Sequence, residues 1–434
     1  MKNASQCMRI VSSCALLMSA SCALAQDWPQ WRGPNRDGKA AGFTAPKTWP
    51  KELTQKWKTA VGEGVATPAL VGDKLYVFAR QEGGEITRCL NAADGKELWK
   101  DKYDSLGATP PAQSFSGPRS SPTVAGGKVV TLGVRGVLSC LNAADGKVLW
   151  RKDDFSGATP RFFAASSPIV ADGLCVAQLG GQDNGVIVAY DLASGGEKWK
   201  WTGDSPAYAS PVLMTIGDQK LIVAETEGKL LALTMAGGKV VWETPFVAQR
   251  MGYNAATPIV DGETLIYCGS GRGATAVKLE KSGDSFAAKE LWKNPDNSVQ
   301  FNTPVLKGGF LYGLTAGNDL FCLNAQDGKT AWSAPLSPPA PAEAAGEAQP
   351  EGGKKRGGRG GGGRGGFGSV VDAGSVLFAL TPASELVVFQ PDSKAYAEVT
   401  RIKVAASPTH AYPVVSGNRI FVKDQDSVAL LMIQ

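Results

Sequence analysis

Few side chains in this sequence are placed to do chemistry, and structure alone accounts for most of them. The chain has a single histidine, His410. No multi-histidine metal centre, haem-attachment motif or histidine triad elsewhere in the chain can be built from it. Past residue 25 the cysteines are Cys89, Cys140, Cys175, Cys268 and Cys322. None lies close to another in sequence, so they read as small buried apolar residues rather than as metal ligands or a disulfide framework. Carboxylates such as Asp94, Asp145 and Asp327 each precede a glycine, which is turn chemistry. The Gly-x-Gly-x-x-Gly pieces between 357 and 368 lack a strand, turn and helix around them, so they are no nucleotide fingerprint. We therefore predict no catalytic residue and no metal site.

What remains is a set of polar and aromatic residues just ahead of proline steps. They are Arg119 in GPRSSP, Arg161 in TPRFFAASSP and Tyr208 in AYASP. Further along come Arg250, Tyr253 and Asn254 in QRMGYNAATP, Asn302 in QFNTP and His410 in THAYP. Arginine's planar fork suits carboxylates and other anions, so arginines converging at one mouth imply an anionic small-molecule or polymer ligand. The competing reading is that these arginines satisfy loop carbonyls. Which applies depends on the elements that carry them.

Those elements repeat. CLNAADGK occurs at 89–96 and again at 140–147, and CLNAQDGK stands at 322–329. Asp-Gly flanked by apolar residues reads as a two-residue type I′ hairpin between two strands. A tryptophan follows the glycine by four residues at Trp99, Trp150, Trp199, Trp242 and Trp332, while Trp292 follows a longer turn. Seven proline steps run in phase with them: Thr67-Pro68, Ser121-Pro122, Ser167-Pro168, Ser210-Pro211, Thr257-Pro258, Thr303-Pro304 and Tyr412-Pro413. Proline is tolerated at the first residue of a strand. Consecutive prolines from Pro68 to Pro304 lie 43 to 54 residues apart. That period, with four short strands per unit, predicts an all-β, eight-bladed propeller of four-stranded antiparallel blades. The eighth unit starts without proline near Gly368, and seven blades is the alternative if that unit is degenerate. Residues 53–61, with Trp57 at the recurring tryptophan position, should supply the strand missing from the last unit and close the ring. Asp-Gly turns would then line one face, and the segments before proline the other.

Outside residues 53–434 the chain has two further parts. Residues 1–25 carry Lys2 and Arg9, an apolar stretch and Ala23-Leu24-Ala25, the pattern of a secretory signal peptide. Lipoprotein anchoring at Cys22 is the less favoured reading, because Ser19-Ala20-Ser21 lacks the usual leucine. Residues 26–52 form a leader. Within the ring, residues 337–368 are Pro/Ala-rich and then Gly/Arg-rich, too poor in apolar groups to fold, and read as a disordered insertion. The formal charge of +5 sits largely in the signal and the insertion. The ring is close to neutral, and no nucleic-acid footprint is expected. The mature protein should be an exported monomer, periplasmic or secreted, without a transmembrane segment.

The motifs LNAADGKELW, LNAADGKVLW and YDLASGGEKW resemble the PQQ-type propeller repeat, over nearly all of 53–434. DWPQWRGPNRDG at 27–38 is similar to the leader of exported bacterial members. The resemblance implies either quinoprotein dehydrogenases, which hold pyrroloquinoline quinone and Ca²⁺ in the ring, or BamB-like propellers, which bind no cofactor. The larger dehydrogenases use adjacent cysteines beneath the quinone, and no Cys-Cys occurs here. The expected function is accordingly a non-catalytic binding or scaffold module of the cell envelope, with a protein partner and no cofactor. The alternatives are a quinoprotein oxidoreductase with a divergent site and a carbohydrate or polyanion binder.

Overall fold

A computed structural model describes residues 27–182, 184–248, 253–336 and 367–433. The expected signal peptide, Arg250 and nearly all of the expected 337–368 insertion lie outside the described residues. The chain forms eight four-stranded antiparallel sheets. Blades one to seven begin with the inner strands Ala69–Val71, Thr123–Ala125, Ile169–Ala171, Val212–Ile216, Ile259–Asp261, Val305–Lys307 and Ser369–Asp372. Blade eight holds Val414–Ser416, Arg419–Lys423 and Ser427–Met432, and its outermost strand is Thr54–Ala60, paired antiparallel with Ser427–Met432. The ring therefore closes between the two ends of the chain, with eight blades.

The repeated octapeptide has a physical reason at nearly every letter. Its turn is not the two-residue hairpin expected from Asp-Gly. Type I′ needs positive φ at both central residues, whereas in this turn only Gly95 is positive, at +71°. Asn91 N–H donates to the Lys96 carbonyl and Gly95 N–H to the Asn91 carbonyl, enclosing the four-residue loop 92–95. The Asn91 side chain accepts from Ala93 N–H and Asp94 from Lys96 N–H. Gly95 also receives the preceding blade: a Cβ there would strike the Trp57 indole. Trp99 covers Gly146, Trp150 covers Gly195, Trp199 covers Gly238 and Trp292 covers Gly328 in the same way. Indole N–H groups then donate to a carbonyl just upstream of that glycine, Trp57 to Ala92, Trp99 to Ala143 and Trp150 to Leu192. Tryptophan and glycine of one repeat thus serve two different interfaces. Blade five departs from the rule. Its long hairpin brings Leu279 and Phe286 into the cluster around Trp242, in place of a glycine.

The proline steps are joined in a second ring, around the axis. Thr67, Ser121, Ser167, Ser210 and Thr257 each donate their backbone N–H to the Ser or Thr hydroxyl of the next blade. Thr303 N–H donates to the Tyr412 hydroxyl, and Tyr412 N–H to Thr67, so seven bonds of 2.9–3.2 Å close the circle. Blade seven has no proline step, and the long tyrosine spans it. This is why the eighth-blade marker is Tyr-Pro rather than Ser-Pro or Thr-Pro.

The leader lies on the axis. Trp28 exchanges both backbone bonds with Leu70, Pro29 accepts from Val124, and Ala40 donates to Asp372. Arg32 and Arg36, both at positive φ, are buried to within 1% and 3% exposure. Arg36 donates to the carbonyls of Ser167, Pro168 and Pro211 and to the Gln30 side chain. Arg32 donates to the carbonyls of Asp37 and Pro304. Contacts to the inner strands or proline steps of six blades place this segment in the channel, as a plug. Burial lowers the Arg36 pKa to about 9, so it stays a cation at neutral pH.

Candidate functional site

At the proline-side mouth a chamber of about 270 Å³ sits above the plug. Its floor includes Ser167, Ser210 and Tyr412 of the hydroxyl ring and Trp31 of the leader. Trp31 Nε1 donates to Thr257 Oγ1, and its ring meets Tyr412 edge-on at 4.7 Å. Its walls are aromatic because each segment before a proline must cross from an outer strand to the axis, exposing one or two side chains to the mouth. Phe162, Tyr208 and Tyr253 pack edge to face at centroid distances of 5.2–6.0 Å. Tyr253, Phe301 and Phe367 form a stacked row with spacings of 5.2 and 4.1 Å. Among the described residues no acidic side chain lines this chamber.

Of the residues singled out from sequence, Arg119, Tyr208, Tyr253 and His410 line the chamber. Arg119 Nη2 donates to the carbonyls of Ala112 and Phe115, at 3.3 and 2.7 Å, while buried Nη1 has no partner among the described residues. Burial lowers its pKa to about 10, against the pull of Tyr208 and Glu85, and it remains protonated at neutral pH. His410 lies edge-on to Phe115 and Phe367 at 5.0 and 5.1 Å. Its Nδ1 is buried without a partner among the described residues, and burial depresses its pKa, so the ring is neutral. The hydroxyl of Tyr208 accepts from Phe162 N–H and that of Tyr253 from Gln300. Arg161 packs over the Phe162 ring without lining the chamber.

Two expected site residues are structural instead. Asn254 is buried, donates to the carbonyls of Thr226, Glu227 and Phe246, and accepts from Arg272. Asn302 is fully buried and exchanges both amide bonds with the Leu314 backbone. A sequence shows that asparagine stands beside a proline step, but not that adjacent backbone consumes both ends of its amide. Conversely, Trp31, Phe115, Phe301 and Phe367 line the chamber and were not among the expected residues. Phe301 could have been read from QFNTP. Phe115 and Phe367 carry no repeat signal. A second chamber, of about 660 Å³, adjoins the first across Phe115, Phe367 and His410 and is bordered by Glu63 and Asp424.

The profile of the family described as outer membrane protein assembly factor BamB matches residues 82–334, more than half of the chain. The chain belongs to the BamB family. The BamB of Yersinia pestis is 27% identical over 302 residues, covering 64% of this chain and 70% of that protein. The BamB of Burkholderia pseudomallei is 24% identical, covering 74% and 77%. Among solved structures, BamB from Moraxella catarrhalis superposes with a TM-score of 0.61 at 12% identity, covering 88% of this chain and 98% of that one. A quinohemoprotein alcohol dehydrogenase from Comamonas testosteroni gives 0.65 at 14% identity, covering 95% and 81%. At such identities these superpositions establish a shared fold.

The dehydrogenase neighbours make a quinone with Ca²⁺ the cofactor to test against this BamB-family ring. Ca²⁺ takes six to eight oxygen ligands, carboxylates prominent among them. Among the described residues the mouth chamber is lined by no Asp, Glu, Asn or Gln, and no group of three or more His, Cys, Asp or Glu able to hold a metal occurs. Beneath it the axis carries Trp31 and the Arg36 cation rather than anionic ligands. The residues present do not fit that pair. Cys89, Cys140, Cys175, Cys268 and Cys322 are buried and unpaired among the described residues, and burial pushes their thiols up, so they are inert. No helix among the described residues is long and apolar enough to cross a membrane.

Proposed function

We propose that this protein is an exported, non-catalytic scaffold of the cell envelope that engages a protein partner through its proline-side mouth. The observation that carries the reading is the match to the outer membrane protein assembly factor BamB across 82–334, joined to a mouth where aromatic rings and one guanidinium group face solvent-accessible space. The Asp-Gly face offers a contrast. Its turns are alike from blade to blade, and their Asn and Asp side chains are tied into their own loops by the same hydrogen bonds each time. The varied face is the one that can discriminate.

Photo-crosslinking residues introduced one at a time at Ser114 and Phe301 on the mouth, and at Ala93 and Ala144 on the turns, test this in intact cells. Crosslinks to a defined outer-membrane-protein assembly component from the mouth positions alone are expected. Crosslinks from the turn positions alone, or none from either, would overturn it. Incubation with pyrroloquinoline quinone and Ca²⁺ should give neither saturable binding nor alcohol-dependent dye reduction. Either signal would move the reading to an oxidoreductase.

A further inference from the structure

Groups at the mouth chamber keep hydrogen-bonding capacity and charge beyond what their contacts within the fold use. The Arg119 guanidinium is fixed in its plane, since Nη2 is held by two backbone carbonyls while Nη1, buried, donates to nothing among the described residues. Ser167 and Ser210 each accept a backbone N–H from the blade before. Each hydroxyl still carries its own proton, and both residues line the chamber. Arg36 donates to the carbonyls of Ser167 and Pro211, which sets a buried cation directly under this floor. Among the described residues no carboxylate lines the chamber to neutralise it. The floor and one wall are therefore built to receive negative charge.

The remaining walls are built to receive a ring. Phe162 and Tyr253 are edge to face at 5.2 Å, and Phe301 lies parallel to Tyr253, so both ring faces and ring edges border the space. Aromatic groups are held by offset stacking or edge contacts at centroid distances of about 4.5–7 Å. The volume, about 270 Å³, lies just under the roughly 300–1,000 Å³ of drug-sized ligand sites. That suits one or two rings. A sugar would require several hydrogen-bonding amides and carboxylates around it, and among the described residues the lining holds none. A polyanion would require several cations, and the described lining supplies Arg119 alone.

We propose that the mouth chamber binds an aromatic carboxylate of one or two rings, its ring among Phe162, Tyr253 and Phe301 and its carboxylate on Arg119. The inference rests on the reading of this mouth as the binding face. The same chemistry is offered by a free aromatic acid and by a peptide whose C-terminal residue is aromatic and ends in a free carboxylate.

Calorimetric titration of the mature protein with 3-phenylpropionate and indole-3-propionate, and with their neutral amides, tests the charge requirement on the wild-type chain. A parallel pair, Ala-Ala-Phe with a free or an amidated end, tests the peptide source. Each acid should bind saturably and at least about tenfold tighter than its amide, the loss of one charge-assisted hydrogen bond. Arg119→Gln should remove that difference, weakening the acid by at least about tenfold and the amide by less. Tighter binding of the peptide acid assigns the site to a peptide terminus. Equal or tighter binding of the small acids assigns it to a free metabolite. Equal affinity for acid and amide, or no acid binding at millimolar concentration, would overturn the proposal. Crosslinking from the mouth would in that case still stand, so this failure is separable from failure of the scaffold reading.

Discussion

Glycine at the turn does two jobs, and substitution can separate them. Gly146 has φ +73°, and a Cβ there would run into the Trp99 indole, whereas Gly72 has φ +60° with nothing within 4 Å. Left-handed backbone costs a residue with a Cβ about 1–2 kcal/mol, and overpacking typically adds about 1–3 kcal/mol. Gly146→Ala should therefore lower stability by about 2–5 kcal/mol and Gly72→Ala by only about 1–2 kcal/mol, read from urea denaturation midpoints. Glu225 gives a second residue-scale test. Its carboxyl is fully buried, both oxygens lack partners among the described residues, and burial pushes its pKa well above the ordinary range despite the attraction of Arg272. The folded protein keeps that proton over a range where the unfolded chain has lost it. Stability must then fall as pH rises above the ordinary carboxylate range towards the folded value, by at most about 1.4 kcal/mol per pH unit from this group. Glu225→Gln should flatten that slope in denaturation series run from pH 4 to 9, and an unchanged slope would assign the dependence elsewhere. At this scale the sequence was half legible. The letters Asn, Asp, Gly and Trp announced a turn and a docked indole. That the indole belongs to the neighbouring blade depends on the curvature of the ring, which no local spacing encodes.

Proline steps mark the first residue of each inner strand, and their in-phase recurrence made the blade count readable from the chain. What connects them was not readable, because each bond joins residues more than forty positions apart and uses a backbone N–H that looks alike in every unit. The tyrosine in THAYP was visible as an oddity without a cause. The cause is distance: the blade-seven gap has to be bridged, and only a phenol reaches Thr303 N–H, at 3.1 Å. Tyr412→Phe leaves that buried donor unsatisfied, at a cost of about 1–3 kcal/mol, and Tyr412→Ser should cost more, since the ring packing against Trp31 is lost as well. Thermal denaturation of the two variants beside wild type checks the order. If Phe proves neutral, the bond contributes nothing to the closure of the circle.

Across the whole molecule, the leader is where sequence reading fell furthest short. DWPQWRGPNRDG looked like a segment outside the ring, yet Trp28, Arg32 and Arg36 are among its most buried side chains. Buried arginines are rare, and composition offers no hint that the carbonyls awaiting them are the ones freed where inner strands begin at proline. Arg36→Met should cost about 3 kcal/mol or more, since removing one partner strands several buried acceptors at once. Circular dichroism melts would show it as a large drop in midpoint with blade content retained. A loss below 1 kcal/mol would mean the plug is dispensable filler. The closing strand carries this end-to-end dependence further. Thr54 pairs with Met432, and Ala60 with Ser427. During synthesis the first strand made must therefore wait for the last, through a loop as long as the domain. Until residues 427–432 appear, a ribosome-bound or translocating chain holds seven blades with two bare sheet edges. The hazard of mispairing is thus a matter of time: it grows with any delay in making residues 427–432 and ends only when they pair with Thr54–Ala60.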